Sequence, residues 1–394
     1  MKTPERPQET PDFSLVLGGP LFQAFVRTRL AGPALELVHR RILFVIAVFW
    51  LPALVLSALD GHLVGGSGLS FLRDIETHVR LLIAVPVLVL AEPIVHQRIR
   101  PMVGLFLKRG IVTAEDSPRF IAAIDAINRV RNSMPLELAL LTFVFTVGRM
   151  EWADNVAMSA ATWYAAPDAS GLHLTLPGYW FAWVSVPLSQ FILLRWYLRL
   201  VLWFALLWRV SRLNLRLVPT HPDGAGGIGF LENSVAAFSP IVFAQSAMLA
   251  AFIAGRILYE AEALPAFYPT IAAFVGFFLL LALAPLAVFT PKLARTKRLG
   301  LQEYGTLATS YVEDFERKWI GHREANEEIL GTADIQSLAD LDHGLAVVRA
   351  MSLLPFSMSN VRSLAVAAAV PLLPLALTVV PINELLKSLV KIVF

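Results

Sequence analysis

The chain has no cysteine, which excludes disulfides, thiolate metal sites and cysteine nucleophiles. Charge is scarce as well. Of 394 residues, 16 % are charged against 56 % apolar, and a mean hydropathy of +0.63 rules out water as the solvent for most of the chain. Catalytic signatures are missing: there is no Gly-x-Ser-x-Gly, no HExxH and no pair of acids at catalytic spacing. An enzyme reading therefore has neither nucleophile nor metal cage to rest on, and no cofactor or metal is expected. No internal repeat is visible, which withdraws support from an inverted-repeat transporter. Met1 to Ser14 lacks the short apolar core of a secretory signal and carries Lys2, Glu5, Arg6, Glu9 and Asp12 instead.

What the sequence has is long apolar runs. A hydrocarbon layer of roughly 30 Å takes about 20 helical residues to cross, and about seven stretches qualify: Ile42 to Leu59, Val79 to Val95, Pro135 to Gly148, Tyr179 to Trp208, Ser239 to Leu258, Phe267 to Thr290 and Val361 to Val380. The third is short and needs its flanks to complete the crossing. The expected fold is therefore an all-α polytopic membrane protein. Residues 1–41 form an inner tail and juxtamembrane helix, and 42–290 form about six spans with a helical insertion at 97–134. Residues 291–360 are an inner helical segment, and 361–394 hold the last span with an amphipathic tail. That tail, Asn383 to Phe394, sets Lys387 and Lys391 among leucines and valines, a pattern that suits the interface plane.

Orientation comes from the basic residues of short connections. Arg98, Arg100, Lys108, Arg109, Arg119, Arg129 and Arg131 fall between the second and third spans, while Glu151 to Gly178 and Tyr259 to Ala266 hold no Lys or Arg. The first connection is therefore cytoplasmic, and Arg27, Arg29, Arg40 and Arg41 put the N-terminus on the same side. The pI of 9.2 does not indicate nucleic acid, because the positive charge is dispersed over many loops. The lipid bilayer is the expected partner. In the inner segment Leu299 to Phe356, Leu338, Leu341, Leu345 and Val348 form one apolar stripe. It packs against a neighbouring helix or, in the alternative reading, pairs copies of the chain into a homo-oligomer.

Charge at membrane depth is the first candidate for function. The fourth span carries Arg195 and Arg199 near its middle. At about 100° per residue, Arg209 and Arg216 fall on the same face if the helix continues. One reading is an anion path, because a guanidinium grips phosphate or carboxylate side-on; the other is snorkelling to the inner headgroups. The gaps of 4, 10 and 7 residues do not suit a voltage sensor. Glu92, on the second span, lies about 20 Å from the outer end and Arg195 about 24 Å, so the two can meet as a pair. Alternatively Glu92 sits at the inner interface.

The second candidate is the loop after the fourth span, which includes His221, Pro222, Asp223, Gly224, Ala225, Gly226, Gly227, Ile228 and Gly229. Gly224, Gly226 and Gly229 match G-x-G-x-x-G by letter. However, a dinucleotide fingerprint follows a strand, and here a membrane helix precedes it. His221 and Asp223 are two ligands where a metal needs more. A tight turn holding helix ends is the plain reading, and a ligand loop the functional one.

The runs from Trp183 through Arg195 and Arg199 to Pro219-Thr220-His221-Pro222-Asp223, and from Asp334 to Leu341 and on to Pro355-Phe356, resemble an uncharacterised group of bacterial polytopic integral membrane proteins. The resemblance covers most of the chain after Trp183. It implies an inner-membrane location and brings no activity. The excess of Arg (26) over Lys (7) is common in bacteria with GC-rich genomes. A channel or transporter for an ion or small solute is the leading expectation. The alternatives are a sensor or assembly protein acting through its inner helices, and a membrane enzyme acting on lipid-linked substrates through His221 and Asp223.

Overall fold

In a bilayer an apolar run can satisfy its backbone only internally, so it folds as a helix. A computed structural model describes residues 13–28, 36–65, 68–148, 150, 161–168, 171–321 and 333–378. After a short helix α1 (Pro20–Arg27), the described residues contain six helices long and apolar enough to cross a membrane: α2 (Val38–Leu59), α3 (Ile75–Lys108), α6 (Leu176–Val210), α7 (Gly229–Tyr259), α8 (Leu264–Ala287) and α11 (Met358–Thr378). A bent pair, α4 (Ser117–Arg131) and α5 (Met134–Gly148), whose axes differ by 46°, makes a seventh candidate crossing if the two count as one span. The bend explains why the third apolar run is short: Ser133 caps α5, and Pro135 occupies its first turn, where a missing N–H costs nothing. The protein is an all-α polytopic membrane protein. Among the described residues two strands, β1 (Ala165–Asp168) and β2 (Gly171–Leu174), form one small hairpin.

The proline breaks are answered by neighbouring helices. Pro52 lies just after the break at Trp50 in α2, and having no N–H it leaves the carbonyl of Val48 without its helical donor. The Trp180 indole N–H of α6 donates to that carbonyl at 3.1 Å, and the Ser185 hydroxyl donates to the next one, Phe49, at 2.6 Å. Pro86 in α3 and Pro187 in α6 each follow a widened π-type stretch, Val79–Ala84 and Phe181–Ser185, which relieves the clash of the ring with the preceding turn. Trp196 of α6 donates to the Leu88 carbonyl at 3.0 Å, in the turn ahead of Pro93.

Helices α3, α6 and α7 form the centre, with Leu88, Val95, Trp196, Trp203, Phe238 and Ile241 among the fully enclosed side chains. Half of the apolar stretch of α7 is buried, against 17 % for α11, so α11 is peripheral. Small residues of α7 let it approach its neighbours closely, and the buried Ser246 hydroxyl donates to the Ala368 carbonyl of α11.

Following the helices in order separates two faces. The basic face carries Arg98, Arg100 and Lys108 at the end of α3, together with α4 and α9 (Thr290–Glu316) and α10 (Ala333–Ala350). The opposite face carries the β-hairpin and the α7–α8 turn, where Arg256 pairs with Glu260. Leu345 and Val348 of α10 are buried and Leu338 and Leu341 half-buried, and α10 packs along α9. The apolar stripe is therefore used inside the helix pair. Lys318 and Trp319 both donate to Asp334, at 2.7 and 3.1 Å, tying the end of α9 to the start of α10. The amphipathic tail Asn383 to Phe394, the break at Gly331 and Thr332, and the acids Glu151 and Asp154 lie outside the described residues.

Candidate functional site

Five charged side chains from four helices meet inside the bundle. Glu92 of α3 accepts on Oε1 from Nη2 of Arg199 at 2.7 Å and on Oε2 from Nη1 of Arg41. Arg195, one turn before Arg199 on α6 and so on the same face, reaches Glu137 of α5 at 3.2 Å. Arg41 is 2 % exposed and Arg199 4 %, so neither extends to solvent or headgroups. The Arg199 guanidinium also lies over the Trp196 ring, 4.5 Å from its centroid, where the ring's negative face supports a cation. Three guanidinium groups against two carboxylates leave the cluster one positive charge in excess.

Arg195 and Arg199 form a wall between two small cavities of about 20 Å³ each, enough for about one water apiece. One cavity is bounded by Arg41, Glu92, Val45, Val89 and Ile192. The other, toward the basic face, is bounded by Glu137, Arg131, Leu140 and the N-terminal residues Leu15, Val16 and Gly18. The N-terminal segment is held as a strap across this mouth. Phe13 and Leu15 are 1 % exposed, the Ser14 hydroxyl bonds His96 at 2.9 Å, and Arg131 donates to the Ser14 carbonyl. Gly18 has φ +128°, and a Cβ there would stand 2.3 Å from Asn132 Oδ1, so only glycine fits.

The structure thus brings Arg195, Arg199 and Glu92 together but distributes the pairs differently from the depth argument. Glu92 bonds Arg199 and Arg41, while the direct partner of Arg195 is Glu137. The four-arginine face also fails beyond Arg209. Helix α6 ends at Val210, and Arg216 lies in the loop that follows, its backbone N–H donating to Ile111 at 2.8 Å. Sequence reasoning missed two members. Arg41 looked like one more orientation marker beside Arg40, yet Arg40 is exposed and Arg41 buried, as two positions about 100° apart on a helix can be. Glu137 is the one charge between Met134 and Gly148, and that isolation was the available signal.

The glycine loop is built differently. Gly224, Gly226 and Gly227 take φ of +63°, +66° and +101°, which turns successive backbone N–H groups inward to make an anion nest. The anion is the loop's own Asp223. Its Oδ1 accepts from Ala225 at 2.9 Å and Gly227 at 3.0 Å, and its Oδ2 accepts from Gly229 at 2.8 Å. His221 Nδ1 lies 2.9 Å from Oδ1. Burial pushes the Asp223 carboxyl up, but the three N–H donors and His221 together outweigh it and hold the group below the ordinary carboxylate value. Among the described residues no group of three or more His, Asp or Glu is placed to hold a metal.

The loop is also a joint. Ser352 N–H donates to the Gly224 carbonyl at 2.7 Å, Gly226 lies against Met351, and Gly300 of α9 lies against Pro219. Lys297 Nζ donates to the Met351 carbonyl at 2.8 Å. The chain matches no family model, no curated protein and no solved structure.

Proposed function

We propose that the protein is a channel or transporter for an ion or small solute, with Glu92, Arg195, Arg199, Arg41 and Glu137 on its path. The observation that carries this reading is the buried, net-positive cluster with a cavity on each side of Arg195 and Arg199. Buried ion pairs are a poor device for stability, because well-packed apolar residues do as well or better. Ionisable groups at membrane depth instead mark solute and ion paths. The excess of guanidinium over carboxylate favours an anion. On this reading the N-terminal strap, which lies across the basic mouth, is what closes the path. By the distribution of Arg and Lys, that mouth faces the cytosol, and the composition and resemblance point to a bacterial inner membrane.

The test is anion flux into proteoliposomes of purified protein. Wild type is expected to conduct, and Arg195→Ala to lose most of the flux. Absence of flux, or an Arg195→Ala protein that conducts normally, counts against transport. A second reading, docking of a partner on the basic-face helices, is favoured by apolar side chains left exposed on α9 and just beyond it, Leu307 at 55 % and Ile320 at 74 %. Its test is co-purification of a cytosolic protein with the full chain, lost when residues 299–356 are deleted.

A further inference from the structure

We infer that the inner half of α5, Met134–Phe143, is a hinged gate over the mouth cavity, latched by the ion pair between Glu137 and Arg195. Two elements wall that cavity opposite α6: the strap with Leu15 and Val16, and α5 with Leu136, Glu137 and Leu140. Burial separates them. Phe13, Leu15 and Val16 of the strap are at most 2 % exposed. The strap is also tied to the end of α4, through Arg131 on the Ser14 carbonyl and Asn132 on the Gly19 N–H, and α4 is itself seated by Phe120, Ile124 and Ile127. Met134–Phe143, in contrast, has no buried side chain, and Met134, Leu138 and Phe143 are exposed. The surroundings sharpen the difference. Pulling the strap free would put its apolar side chains into water at the basic mouth, which the hydrophobic effect opposes. Moving α5 sideways puts apolar side chains into lipid, which is as apolar as the leucines they leave. The hold on this segment is therefore polar, and Glu137 reaches Arg195 of α6 at 3.2 Å.

Both ends of the segment are built to bend. At the inner end the chain turns by 46° between α4 and α5, where Ser133 caps the new helix. At the other end the helix widens into a π-type stretch, Val144–Gly148, and the Thr146 hydroxyl back-bonds to the Thr142 carbonyl at 2.8 Å. Each of these features bends helices. Within the stretch Val144 is buried and Gly148 lies against Gln190 of α6, so the outer end keeps its place. A loosely packed segment with a bend at each end and a charge pair between them can swing while its neighbours stay fixed. Opening frees Arg195 from Glu137 as it uncovers the cavity, which couples the gate to a cation of the path. The inference deepens the transport reading, on which it rests for a path to gate, by naming its regulation.

The test reads movement rather than flux, on the full chain in nanodiscs, and uses the absence of native cysteine. Leu202 lines the cavity from α6 and is 4 % exposed. Leu202→Cys is expected to react slowly with a charged methanethiosulfonate. Adding Glu137→Gln removes the latch and is expected to speed the reaction about ten-fold or more, the equivalent of one charge-assisted hydrogen bond. Pulsed EPR follows the two walls separately, from spin labels on Ile121→Cys of α4 paired with Leu138→Cys of α5 or with Leu17→Cys of the strap. Glu137→Gln is expected to add a second distance to the α5 pair and to leave the strap pair as it was. Unchanged reactivity or an unchanged α5 distance overturns the gate. A shift of the strap pair overturns it as well, because the strap has then moved or the fold has loosened. Gate movement in protein that carries no anion flux keeps the gate and removes transport; flux with reactivity and distances unchanged does the reverse.

Discussion

Two carboxylates, Glu92 inside the bundle and Asp223 in the glycine loop, are each fully engaged, but by opposite routes. Glu92 is met by cations 51 and 107 residues away in the chain, so its environment exists only once α2, α3 and α6 have assembled. Asp223 is met by N–H groups two, four and six residues on, so its environment is set by one stretch of chain. The first arrangement can change as helices shift; the second is fixed by its own loop. Charge held across helices is therefore where a gated path is expected, and charge held locally is where a joint is expected. The largest test of that contrast is Glu92→Gln, which keeps the shape but strands two buried guanidinium groups. Its expected cost is about 3–5 kcal/mol, read as a lowered unfolding midpoint in detergent. A change under about 1 kcal/mol would mean that the cluster is hydrated and behaves as a surface network.

At the loop the effect is smaller, because the Asp223 side chain is 19 % exposed and water replaces part of what is lost. Asp223→Ala frees three N–H groups and is expected to cost about 1–3 kcal/mol, seen as faster proteolysis of the loop and a modest fall in the unfolding midpoint. The same carboxylate gives a pH dependence with a definite sign. Its folded value lies below the ordinary one, so as pH falls the unfolded chain takes up the proton first. The stabilisation is complete above the ordinary carboxylate value and disappears as pH drops through the folded one. Asp223→Asn should flatten that acid limb without changing stability at neutral pH by more than Asp223→Ala does. Gly300→Ala probes the same joint from α9. Its Cβ would stand 2.6 Å from that of Pro219, a clash between backbone-tethered atoms worth about 1–3 kcal/mol.

How far these features could be read from the sequence follows the same division between local and distant. The spans were legible because a run of about 20 apolar residues has one solution in a bilayer. The loop was legible as a turn because an aspartate ahead of glycines can fill its own nest. Less legible was the third apolar run, which starts only at Ser133 and Pro135 as α5 and is preceded at an angle by the amphipathic, basic α4. The pairings of the ion cluster were not legible at all. Depth along a helix gave Glu92 and Arg195 similar heights, but which guanidinium reaches which carboxylate depends on helix rotation. One residue of rotation separates Arg41, buried, from Arg40, exposed. Counting basic residues for orientation treats those two alike, so a member of the ion cluster passed as a topological marker.

The smallest expected effect sharpens the contrast most. Arg209 shares the face of α6 with Arg195 and Arg199, but it lies ten residues beyond Arg199, about 15 Å further along the axis, and is exposed next to the helix end. If a basic stripe acted as a unit, drawing anions along the helix face, Arg209→Ala would reduce flux as Arg195→Ala does. If enclosure among other helices gives the arginines their role, Arg209→Ala stays within about 0.5 kcal/mol of wild type and conducts normally. The basic residues at the end of α3 and along α4, Arg98, Arg100, Lys108, Arg119, Arg129 and Arg131 among them, would still hold the orientation. Unfolding and flux measured side by side on Arg209→Ala and Arg195→Ala therefore separate helical face from burial as the source of function, and the packing of Arg199 against Glu92 and Trp196 predicts burial.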